Sequence, residues 1–194
     1  MTTDHHEPTP PPRDRPDRPE RVHAPSLVLV NTGDGKGKST AAFGTAIRSL
    51  ARGWSVAIVQ YIKSGDWRTG ETKVLRQLGA DWWSMGDGFS WESDDLDVSE
   101  ARAQAAWEHT AQLLASGSHD VVVLDEITYP LNWGWIDLAT VVAAIRDREE
   151  TTYVVCTGRD APQALIDVAD TVTEMRPVKH AFERGVLARR GIDF

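Results

Sequence analysis

Short apolar runs recur along this chain, and between them lie segments whose apolar residues return every three or four positions. The first run predicts a strand over about 27–31, and the next segment predicts a helix reaching about Arg52, with Gly53 placed to cap it. A second run, about 56–62, reads as a buried strand, followed by a short helix at about 71–78. Residues 81–97 mix Gly, Trp and Asp and read as irregular. A long helix is expected from about Ser99, as N-cap, to Ser116. Residues 121–124 form another buried strand, which ends in Asp125 and Glu126. A helix at about 137–148, a strand at about 152–156, a helix at about 161–169 and a short strand at about 171–174 complete the pattern. Strands alternating with helices predict an α/β fold: a mostly parallel central sheet with helices on both faces.

Composition changes the picture at the N-terminus. Seven of the ten prolines lie in residues 1–25, mixed with Arg, Asp, Glu and His. Such a segment cannot bury enough apolar surface to offset its ordering entropy, so a disordered tail over 1–25 and one domain over 26–194 are expected. The paired His5 and His6 belong to that solvated tail. At 41% hydrophobic and 26% charged residues, the chain reads as an ordinary soluble globular protein. A net charge of −8 argues against a nucleic-acid partner. Cys156 is the single cysteine, so no intramolecular disulfide can form. No apolar run approaches a membrane span, and the polar first residues lack a signal-peptide pattern, so a cytoplasmic location is expected.

The candidate chemistry gathers at the strand ends. Asn31-Thr32-Gly33-Asp34-Gly35-Lys36-Gly37-Lys38-Ser39-Thr40 follows the first strand and opens the first helix. Strand, glycine loop, Gly-Lys-Ser and helix form the context of a phosphate-binding P-loop. Glycines let backbone N–H groups approach an anion, Lys38 supplies a cation, and the Ser39 hydroxyl can ligate Mg²⁺. The usual loop has four residues between its first glycine and Gly-Lys-Ser. Here Thr32 occupies that first position, Gly33 comes one residue late, and Lys36 adds a second cation. The loop therefore reads as a polyphosphate grip with an altered orientation.

Asp125-Glu126 after an apolar strand reads as a Walker-B segment, one of whose carboxylates holds Mg²⁺; the spacing does not choose between them. In an ATPase, Glu126 would be placed to orient water. Arg159, just past a strand, has a fork suited to phosphate or to a surface salt bridge. Seven of the eight tryptophans lie between Trp67 and Trp135, mostly as packing residues. Phe89 and Trp91 sit instead in a Gly- and Asp-rich loop, which suggests a bulky, flat second substrate. Residues 176–185 are locally basic, either a solvated face or a contact for acidic groups.

The stretches Gly33-Asp34-Gly35-Lys36-Gly37-Lys38-Ser39-Thr40, Gly88-Phe89-Ser90-Trp91-Glu92, Leu124-Asp125-Glu126-Ile127-Thr128-Tyr129, Thr157-Gly158-Arg159 and Arg176-Pro177-Val178-Lys179-His180-Ala181-Phe182 together resemble the P-loop type of ATP:corrinoid adenosyltransferases of cobalamin biosynthesis. The resemblance covers about 26–194 and implies a single P-loop, RecA-like domain. It implies transfer of the 5′-deoxyadenosyl group of ATP to the cobalt of a cob(I) corrinoid, with release of triphosphate. It also implies Mg²⁺, a corrinoid substrate (cobalamin, cobinamide or cobyrinic acid a,c-diamide), a flavoprotein reductase as electron source, and a homodimer. By position, residues 33–40 and Arg159 become ATP contacts, Lys38 and Glu126 the catalytic pair, Ser39 with Glu126 or Asp125 the metal contacts, and Phe89 and Trp91 the corrinoid contacts. A P-loop ATPase or small-molecule kinase releasing ADP is the alternative enzyme, and a nucleotide-dependent switch protein is a third reading.

Overall fold

The computed structural model of the chain describes residue 20 and residues 22–62, 70–85 and 96–192. The proline-rich tail, Trp67 and the Phe89–Trp91 loop therefore lie outside the described residues, as does nearly all that was expected of 1–25.

The order is β1 (Val28–Thr32), α1 (Lys38–Leu50), β2 (Val56–Gln60), α2 (Gly70–Gln77), β3 (Asp81–Ser84), α3 (Leu96–Ser116), β4 (Val121–Asp125), α4 (Thr128–Asn132), α5 (Leu138–Arg146), β5 (Tyr153–Thr157), α6 (Gln163–Asp167) and β6 (Thr171–Glu174), then a 3-10 turn at Ala181–Arg184. The strands form one sheet in the order β3-β2-β4-β5-β1-β6, and every pairing is parallel. Parallel strands are buried on both faces, which is why β2 and β4 are apolar without alternation. One face carries Val30, Val59, Leu124 and Cys156 into a core closed by residues of α3, α5 and α6. The opposite face carries Ile58, Val123 and Val155 against Ala42, Phe43 and Ala46 of α1 and Leu75 of α2.

Two expectations are corrected. Residues 81–84 are not irregular: they pair with Ala57–Gln60 as the edge strand β3. The alternation that marks them is aromatic, with Trp82 against Phe43 on the α1 face, ring centroids 5.3 Å apart. Trp83 meets His109 of α3 at 4.5 Å on the other face. An edge strand this short lacks the apolar run by which the inner strands announce themselves. The long helix begins at Leu96 rather than after Ser99; Asp97 lies in its first turn, where an acid suits the helix dipole, and Ser99 is buried within it.

The sheet has a feature that positions everything functional. Each of β1 to β5 leaves its apolar stretch through a polar residue, and these residues lie at matching levels across the sheet. Gln60 pairs with Ser84 and with Asp125, Asn31 pairs with Thr157 and Thr173, and Asp125 and Thr157 each follow the paired Leu124 and Cys156. A polar row thus runs across the carboxyl ends of the strands, on the face that α1 packs against. In open parallel sheets this is the edge where ligands bind.

Candidate functional site: a phosphate cradle at the strand ends

The loop from β1 to α1 turns back over the sheet edge. Gly33 and Gly37 take φ of 89° and 118°, values that a residue with a Cβ resists. Met175, just past β6, donates its N–H to Thr32 O at 2.8 Å and accepts from Gly35 N at 2.6 Å, so the loop is stapled to the end of the neighbouring strand. A Cβ on Gly35 would stand 2.6 Å from Met175 O and 2.9 Å from Arg176 C. Glycine at 35 is therefore required by backbone-to-backbone packing as well as by any anion. No side chain caps α1 and no acid occupies its first turn, so its N-terminal N–H groups are left without a side-chain cap.

Lys38 Nζ donates to the carbonyls of Gly33 and Gly35, both at 2.7 Å, so the ammonium sits inside the loop it opens from. Its pKa is lowered, first by burial and then by the Arg159 charge, against the opposing pull of Asp34, Glu126 and Asp160. The charges of Arg159, from the end of β5, and Glu126, from the end of β4, both act on Lys38. A cavity of about 400 Å³ is lined by Asp34, Gly35, Lys36, Lys38 and Arg159 on one side. Pro177, His180, Phe182 and Glu183 form its other wall. This volume suits a small-molecule ligand.

Arg159 is 53% exposed and stands 3.8 Å from Asp34 Oδ1. An exposed pair at that distance contributes little to stability, so the guanidinium is available to a ligand. Its loop is firmly held: Gly158 N donates to Asn31 O at 3.2 Å, and Ala161 N donates to Thr32 Oγ1 at 3.1 Å. Ser39 is half-buried and Thr40 exposed in the first turn of α1.

The two acids differ. Asp125 is fully buried; its Oδ2 accepts from Gln60 Nε2 at 2.8 Å and its Oδ1 from Thr157 Oγ1 at 2.8 Å. Glu126 is partly exposed, adopts a left-handed φ of 66°, and donates its N–H to Thr157 Oγ1 at 2.9 Å. Among the described residues no group of three His, Cys, Asp or Glu could hold a metal by itself. The hard-oxygen donors near the loop (the Ser39 hydroxyl and the two carboxylates) suit Mg²⁺ sharing its shell with phosphate oxygens and water.

Sequence reasoning missed several contributors. The second cavity wall, with His180 and Phe182, showed as a locally basic stretch and as part of the family resemblance, but with no place in the site. Tyr129, half-buried in α4, has its pKa raised by burial, with the charges of Arg159 and Glu126 also acting on it. Its ring meets Trp133 at 5.6 Å, and Trp133 meets Trp135 at 4.7 Å, so two of the tryptophans build an aromatic flank beside the acids. Trp107, as expected, is core.

A glycine loop between the first strand and helix, with an acid pair ending a strand that β5 separates from it, defines a P-loop nucleotide-binding protein of α/β fold. The fold agrees with that of the flagellar accessory protein FlaH from Methanocaldococcus jannaschii: TM-score 0.54 at 13% identity, over 78% of this chain and 71% of that one. The chain belongs to the ATP:corrinoid adenosyltransferase family, whose sequence model, described as ATP:corrinoid adenosyltransferase BtuR/CobO/CobP, matches residues 25–194. It is 44% identical to the corrinoid adenosyltransferase CobA of Salmonella typhimurium, over 87% of this chain and 85% of that protein. It is 45% identical to a corrinoid adenosyltransferase of Pseudomonas aeruginosa, over 87% of this chain and 83% of that one.

Proposed function

We propose that this protein transfers the 5′-deoxyadenosyl group of ATP to the cobalt of a cob(I) corrinoid and releases triphosphate. The observation that carries this reading is family membership across the whole P-loop domain, with the short loop, Lys38 and Arg159 lining one cavity. The cobalt electron pair forms a bond to C5′, and the C5′–O5′ bond breaks with its pair leaving on triphosphate. The protein supplies no nucleophile. Its residues position the ATP and stabilise the charge that grows on the leaving group. Lys38, which now satisfies the Gly33 and Gly35 carbonyls, turns to the phosphates, and the loop N–H groups and Arg159 meet the rest of that charge. Ser39 and Glu126, with Asp125 behind them, would hold Mg²⁺, which would offset part of the triphosphate charge.

Phe89 and Trp91, outside the described residues, are proposed to pack on the corrin and displace the lower cobalt ligand. The corrinoid is cobalamin, cobinamide or cobyrinic acid a,c-diamide. A flavoprotein reductase supplies the electron, and the enzyme works as a cytoplasmic homodimer. Among the described residues no helix is long and apolar enough to cross a membrane. The test is incubation with ATP, Mg²⁺ and chemically reduced corrinoid, with identification of both products. Adenosylated corrinoid and triphosphate are expected in equal amounts; ADP in their place refutes the reading.

A further inference from the structure

Four polar residues at the carboxyl ends of β3, β2, β4 and β5 are joined by one chain of hydrogen bonds. Trp82 Nε1 donates to Ser84 Oγ at 3.0 Å, and Ser84 Oγ donates to Gln60 Oε1 at 3.2 Å. Gln60 Nε2 donates to Asp125 Oδ2, and Thr157 Oγ1 donates to Asp125 Oδ1, both at 2.8 Å. Glu126 N donates to Thr157 Oγ1 at 2.9 Å. An indole N–H and a backbone N–H can only donate, so Ser84 Oγ accepts from Trp82 and passes its proton to Gln60 Oε1, the Gln60 N–H is left for Asp125, and Thr157 Oγ1 accepts from Glu126 N and passes its proton to Asp125. Gln60, Asp125 and Thr157 are 1% exposed or less, so water cannot replace the two bonds that join them.

Thr157 is the junction. Its only proton goes to Asp125, and its oxygen receives the N–H of Glu126, whose φ of 66° is a conformation that side chains rarely adopt. Asp125 and Glu126 are adjacent in sequence, yet one is buried in the sheet and the other is partly exposed, with its charge acting on Lys38. The Thr157 hydroxyl ties the two together at the turn that separates them. We propose that Thr157 is a positioning residue: it transmits the fixed orientation of Asp125 to the backbone of Glu126 and so sets where the Glu126 carboxylate stands beside the phosphate loop. This rests on the reading above, in which Glu126 serves the metal-bound triphosphate.

The test compares Thr157→Val, which keeps the shape and removes the hydroxyl, with Thr157→Ser, which keeps the hydroxyl. Calorimetric ATP binding is titrated at a series of Mg²⁺ concentrations and repeated with Mg²⁺ chelated. Loss of an outer hydrogen-bond partner of a metal ligand raises the Mg²⁺ needed about 10–100-fold in Thr157→Val. ATP binding without metal stays within about twofold, and Thr157→Ser stays within about threefold of wild type, because Glu126 is still held. In a double-mutant cycle, adding Thr157→Val to Glu126→Gln produces no further loss, since both act on one group. An unchanged Mg²⁺ requirement in Thr157→Val, a Ser variant as defective as Val, or additive losses in the cycle would each overturn the proposal. Thr157→Ala, which cannot clash, carries the same expectation as Val. Loss of the fold in both Val and Ala would make Thr157 merely structural and also overturn it. Release of ADP by the wild-type protein would refute the reaction assigned above while leaving this binding comparison intact.

Discussion

Replacing Gly35 by alanine places a methyl group 2.6 Å from Met175 O, 2.7 Å from Met175 C and 2.9 Å from Arg176 C. All three are backbone atoms of one segment, so no side chain can swing aside. Gly35 does not have a positive φ, so the cost is one of space and not of conformation. Forcing a methyl into filled space costs roughly 1–3 kcal/mol. The strand must move away, and the Gly35 N to Met175 O bond of 2.6 Å is lost, for about 1 kcal/mol more. The sum, about 2–4 kcal/mol, corresponds to a melting temperature lowered by roughly 4–16 °C in a chain of this length. The same movement opens the wall formed by Pro177, His180 and Phe182, so ATP affinity falls with stability. Gly44→Ala is the control. Gly44 lies in α1, and a Cβ there meets nothing within 4 Å. Alanine at that position should stabilise by about 0.5–1 kcal/mol. Differential scanning calorimetry and ATP titration measure both variants. A Gly35→Ala protein with the melting temperature and ATP affinity of wild type would refute the packing argument.

Other outcomes follow from the same geometry. Lys38→Ala should fold normally and lose about 10²-fold or more in adenosyl transfer; near-normal turnover in the folded variant would remove Lys38 from the mechanism. Because burial holds the Lys38 pKa below the ordinary 10.5, its charge is lost earlier than that of a free lysine as pH rises. ATP affinity should therefore decline on an alkaline limb centred below pH 10.5, and a limb at or above that value would contradict the burial. Cys156 is fully buried and its thiol is pushed up to about 12, so it should resist thiol reagents at pH 8 until the protein unfolds; prompt labelling of native protein would count against it. Under the proposed reading, the pair Phe89→Ala with Trp91→Ala should leave ATP affinity intact and impair cobalamin far more than cobinamide. Equal losses on both substrates in a destabilised protein would return these rings to the core.

Local pattern alone determined much of this protein. The apolar strands, the helix after the glycine loop and the acid pair at the end of β4 are contiguous signals, each set by neighbours a few residues away. They were sufficient to read a P-loop α/β fold, and the motifs along 26–194 were sufficient to read the family. Sequence could not show that the strand ends align. Ser84, Gln60, Asp125 and Thr157 are distant in the chain and become one hydrogen-bonded row only because the order β3-β2-β4-β5 places their strands side by side. For the same reason Asp125 and Glu126, equivalent in the sequence, separated only when Gln60 and Thr157 closed on one of them. The packing of Gly35 on Met175 is likewise tertiary: β6 joins β1 at the far side of the sheet, and its end then meets the loop. Spacing along a chain records local geometry, whereas the choice among like residues depends on which distant backbone arrives beside them.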